Sequence, residues 1–161
     1  MNATKITRTT ALGLMTLGLC LLGRPARADL GNAVTRPLLV VQGHLTITVQ
    51  LATGAYTFTD WGWASEVGLF TNTGSGGAGA LDLAHGAFLA GSGVVVAANG
   101  DTLDWVVGPA PNQVSYTGGT GRFQGVTGGF VAVITSVTPL SSTPTSVTLA
   151  ITYDGNGTIT Y

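Results

Sequence analysis

Six glycines fall within residues 117–129, which read Thr-Gly-Gly-Thr-Gly-Arg-Phe-Gln-Gly-Val-Thr-Gly-Gly. Glycine loses more backbone freedom on folding than any other residue, so this density argues against a regular element. It argues for a turn that exploits positive φ and close backbone approach. Phe123 sits in its middle as an apolar plug. Strand-like runs lie on either side, 114–117 before and 130–137 after. The stretch therefore predicts a compact, partly buried corner joining two strands where a sheet closes.

The remainder of the chain reads as strands and turns. Leu45, Ile47, Val49 and Leu51 alternate with Thr46, Thr48 and Gln50, the period of a strand with one buried face. A second extended piece, 56–59, leads through Asp60-Trp61-Gly62-Trp63 into 65–71, and 72–79 reads as a glycine-serine loop. Strands are expected at 80–83, 87–97 and 102–107, the last two joined by an Asn99-Gly100 hairpin turn. Residues 138–145 read as a loop. Val147, Leu149, Ile151 and Tyr153 then alternate with Thr148, Ala150 and Thr152, and Asp154-Gly155-Asn156-Gly157 reads as a turn into 158–161. About eight short strands with threonine-rich outer faces and no helix predict an antiparallel barrel or sandwich.

Residues 1–28 have the pattern of an export signal. Lys5 and Arg8 precede an apolar run over 11–23, and Ala26-Arg27-Ala28 forms a small-x-small cleavage site before Asp29. The run is short for a membrane span. A lipoprotein signal at Cys20 is disfavoured because Leu19 stands where a small residue is wanted. The expected mature protein is periplasmic or extracellular, with an arm over 29–37 and a single barrel domain over 38–161. It keeps Arg36 and Arg122 against seven carboxylates, a net charge of −5. That sign disfavours nucleic acid and anionic membrane surfaces as partners.

Side chains suited to chemistry are few. His44 and His85 have neither a third histidine nor a mature cysteine beside them, so no metal site is expected. Asp82 lies three residues before His85 and either orients its imidazole or shares an ordinary turn with it. No serine occupies a Gly-x-Ser-x-Gly elbow. Residues 74–79 match Gly-x-Gly-x-x-Gly, but no helical period follows to hold a pyrophosphate, so no nucleotide or other cofactor is expected. Asp101 and Asp154 are explained by turns.

Gly118, Gly119, Thr120, Gly121, Phe123, Gly125 and Gly128 form a pattern that resembles the signature of the allene oxide cyclase and dirigent barrels and of secreted bacterial proteins carrying it. Ala98-Asn99-Gly100-Asp101-Thr102-Leu103 resembles the Ala-Asn-Gly-Asp turn of those bacterial relatives. The resemblance implies a closed barrel rather than a sandwich, and a trimer. Where the bacterial relatives often read Thr-His-Leu-Gly, this chain has Ser65-Glu66-Val67-Gly68. Glu66 is then either an interior carboxylate partnered by Arg122 or an exposed one. Val126-Thr127-Gly128 replaces the Ala-Arg-Gly of the dirigent proteins, and no catalytic residue carries over.

Three functions compete. The favoured one is a secreted barrel that holds a small apolar molecule, with Glu66, Trp61, Trp63 and Arg122 as candidate ligand contacts, or that serves as an interaction module. The second is a cyclase- or dirigent-type enzyme that confines a lipid-derived or phenolic substrate. The third is an outer-membrane barrel, suggested by Ile159 and the terminal Tyr161. Strands read as short and uneven weigh against it. The apolar run 130–134 has no polar face, which points to a homo-oligomer.

Overall fold

A computed structural model describes residues 33–161. The export-signal reading and the first residues of the expected arm, up to 32, lie outside the described residues. The strands are β1 (Thr35–Gln50), β2 (Tyr56–Ala64), β3 (Gly68–Gly76), β4 (Leu81–Asp82), β5 (Ala87–Phe88), β6 (Ser92–Ala97), β7 (Thr102–Val107), β8 (Gln113–Gly119), β9 (Thr127–Ser142) and β10 (Ser146–Thr160). Eight of them close into an antiparallel barrel in the order β1-β10-β9-β8-β7-β6-β3-β2. The pair β4-β5 stands apart as a two-stranded flap. Among the described residues the only helical turn is a 3-10 turn at Gly121–Phe123.

Alternation drives the barrel. Every second residue of β2, from Tyr56 through Phe58, Asp60 and Gly62 to Ala64, is buried or faces the interior. Leu38, Ile47, Val49, Leu103, Phe123 and Ile159 are fully buried. Phe123 closes one end of the barrel with its ring edge against Tyr161, centroids 5.4 Å apart. Burial of such a ring is worth about 1.5–3 kcal/mol. The other end is covered by the flap, where Phe88 meets Tyr56 edge-on at 5.3 Å.

The two sequence motifs meet in space. Asp101 Oδ2 accepts from Asn99 Nδ2 at 2.7 Å and from the Arg122 N–H at 3.3 Å. Thr120 Oγ1 accepts from the Thr102 N–H at 3.0 Å. The hairpin turn thus fastens the glycine corner to its neighbour. Gly121 has φ +57°, and a Cβ there would run into the Asp101 carboxylate.

Several elements extend further than the sequence reading allowed. Residues 72–76 belong to β3 rather than to a loop, because Gly74 lies beneath Phe58 and Gly76 beneath Tyr56, where a side chain would collide with the rings. Residues 154–157 are the middle of β10, not a turn. Gly155 faces the Phe130 ring, and Gly157 lets the Gly129 carbonyl approach. β1 begins at Thr35, before Pro37, and β9 continues through Pro139 to Ser142. Pro37 precedes the first β1 pairing to β2, at Val40, and Pro139 lies beyond the last β9 pairing to β8, so neither ring removes a donor that a second neighbour needs. The expected strand 87–97 is two strands, interrupted at 89–91 where Tyr56 donates its hydroxyl to the Ala90 carbonyl at 2.7 Å.

Candidate functional site

Inside the barrel is a cavity of about 80 Å³, and eight of its nineteen lining side chains are aromatic. One water needs roughly 10–15 Å³ on this scale, so the space accepts several waters or a single-ring molecule. Its walls are apolar except for Asp60 on β2, Asn72 on β3, Asn112 before β8, the Trp105 indole on β7 and the hydroxyls of Tyr56, Tyr116 and Tyr153.

Four of these groups form a directed network. Trp105 Nε1 donates to Asn72 Oδ1 at 3.0 Å, which fixes the amide so that Nδ2 points at Asp60. Asn72 Nδ2 donates to Asp60 Oδ2 at 3.2 Å, and the Tyr153 hydroxyl donates to the same oxygen at 2.7 Å. Asp60 Oδ1 is buried and has no hydrogen-bond partner among the described residues. The Trp61 N–H lies close enough to favour the anion without reaching hydrogen-bond geometry to that oxygen. An unpaired buried carboxylate oxygen is costly, which marks it as an acceptor awaiting a donor.

Burial pushes the Asp60 carboxyl up to about 6, with the Tyr153 and Asn72 hydrogen bonds and, more weakly, the charge of His44 offsetting part of the rise. Because Oδ2 already accepts two donors, a proton on Asp60 belongs on Oδ1. The Asp60 carboxyl can therefore act as an acceptor or as a donor. Burial and the neighbouring Asp60 carboxylate hold the Tyr153 hydroxyl well above its ordinary range, so Tyr153 stays a donor. Burial likewise keeps the Tyr116 phenol protonated.

The residues singled out from sequence lie elsewhere. Trp61 and Trp63 project from the outer face of β2, 58% and 43% exposed, and Trp61 stacks on His44 with centroids 4.1 Å apart. Glu66 lies in the turn between β2 and β3, where it accepts from Arg36 Nη1 at 3.4 Å and from the Tyr161 hydroxyl at 3.1 Å. Its cationic partner is Arg36 rather than Arg122. Arg122 donates to the Val67 carbonyl at 2.9 Å and lies over the Phe123 ring at 4.6 Å. None of the four lines the cavity. The expected cluster of one carboxylate and two indoles inside the barrel is replaced by Asp60, Asn72, Trp105 and Tyr153. Strand parity carried the missing signal, since Asp60 continues the Tyr56–Phe58 face and Trp105 shares a face with Leu103 and Val107. Asp82 and His85 share an exposed turn, Nδ1 and Oδ2 2.7 Å apart, and the imidazole holds the carboxyl below its usual range.

Comparisons with protein-family models, with curated proteins and with solved structures find no match to this chain.

Proposed function

We propose that this chain is an exported barrel protein that holds a small, mainly apolar molecule in its interior, with Asp60 as the polar anchor. The observation that carries this reading is the buried Asp60 carboxyl, one oxygen of which has no partner among the described residues, in the lining of a mainly apolar cavity. An inward-facing aromatic core also supports it over a porin-like role, since porins have a polar, water-filled lumen. Calorimetric titration with benzyl alcohol tests it. The wild type should bind saturably, and Ala132→Phe, which fills the cavity from β9, should not bind while keeping its strand circular dichroism. Equal binding by both proteins, or none by the wild type, would overturn the reading.

An enzyme of the cyclase or dirigent type is the alternative, and one observation favours it. A carboxyl that titrates near neutrality at a substrate-sized cavity can transfer a proton. Conversion of an oxygenated fatty acid or a phenoxy radical, lost in Asp60→Asn, would favour the enzyme over the binding protein.

A further inference from the structure

We propose that the ligand is a small apolar amine, bound as its ammonium with the nitrogen paired to the Asp60 carboxylate and the apolar body held among the aromatic walls. This rests on the binding reading above and names the chemical class of the ligand.

The cavity holds one carboxylate and, among the described residues, no cationic side chain lines it. Both arginines are occupied at the barrel's end, Arg36 with Glu66 and Arg122 with the Val67 carbonyl. His44 turns its ring outward onto Trp61 and reaches Asp60 only through its charge. At neutral pH most of Asp60 is ionised, so the interior carries a charge without a counterion, an arrangement that costs stability unless something supplies the opposite charge. The direct donors to the carboxylate, Asn72 and the Tyr153 hydroxyl, are neutral and crowd onto Oδ2. Oδ1 has no donor among the described residues.

The walls suit a cation as well. Phe58, Phe70, Trp105, Tyr116, Phe130 and Tyr153 line the same cavity as the carboxylate. Aromatic faces attract ammonium groups through their quadrupoles, more strongly when the site is desolvated. A neutral alcohol gains only the hydrogen bond, and an anion is repelled by Asp60. The long-range field agrees, because residues 33–161 carry two arginines against six carboxylates.

The test is calorimetric titration of the wild-type protein at about pH 7.5 with single-ring probes of similar size: benzylamine, benzyl alcohol, toluene and benzoate. Benzylamine should bind about tenfold or more tightly than benzyl alcohol, and benzoate should show no binding. Asp60→Asn should bring benzylamine down to the affinity of the alcohol. If benzyl alcohol or toluene binds as tightly as benzylamine, or the amine keeps its advantage in Asp60→Asn, the amine assignment is overturned while the binding barrel stands. If none of the four binds, both readings fall. Should Asp60→Asn fail to fold, the ranking in the wild type decides the matter alone.

Discussion

Asp60 sets the chemistry of the interior, and its effect on stability has a definite sign. A carboxyl raised to about 6 by burial binds its proton more tightly in the folded state than in the unfolded chain, where it titrates near 3.9. Its favourable contribution is complete below pH ~4 and is lost as the pH rises through about 6, a change on the order of 2–3 kcal/mol. Unfolding free energies measured between pH 4 and 7 should show this fall, and Asp60→Asn should flatten it. An equal slope in the variant would assign the titration to another group. The residue was legible in the sequence through parity alone, as one polar position on the Tyr56–Phe58 face. Asn72 was hidden because the glycines after it resemble a loop. Glu66, by contrast, admitted both an interior and an exposed reading, because it lies in a turn where alternation no longer dictates facing.

At the scale of elements, the glycines divide into two kinds that sequence alone does not separate. Four of the six in the corner adopt positive φ, Gly121 at +57° and Gly125 at +77° among them, and the corner and its plug Phe123 were readable from density and flanking strands. Gly74 and Gly76 in β3 and Gly155 in β10 instead make room for rings on adjacent strands, information that resides in Tyr56, Phe58 and Phe130 and not in the glycine-rich segments themselves. Hence β3 and β10 extend beyond the strands expected from the sequence. Gly121→Val should destabilise the protein by on the order of 1–3 kcal/mol in chemical denaturation, since it strains a left-handed backbone and strikes Asp101. A change below about 0.5 kcal/mol would mean that the corner relaxes freely.

For the whole molecule, the inner face was anticipated better than the outer one. The antiparallel all-β fold follows from alternation and turns, and its closure into a barrel was what the resemblance of the glycine corner implied, whereas the exposed apolar residues on its outside do not follow from a barrel that stands alone. Trp61, Trp63 and Leu69 are neighbours on the outside of β2 and β3, and Val131 and Val133 project from β9. This exposure keeps the expectation of a homo-oligomer in force. Sedimentation at micromolar concentration should give a species heavier than one chain, and a monomer would leave the outer face without that explanation.

The distribution of the three tryptophans allows the central claim, that a small molecule enters the barrel, to be tested by one spectrum. Trp105 lines the cavity and is 6% exposed, while Trp61 and Trp63 are on the outside. Their indole N–H resonances in a nitrogen–proton correlation spectrum therefore report separately on interior and surface during titration with a single-ring ligand. The Trp105 resonance should move saturably while the other two stay in place. A shift confined to Trp61 and Trp63, or a Trp105 resonance that never moves for any ligand that binds, would contradict the account.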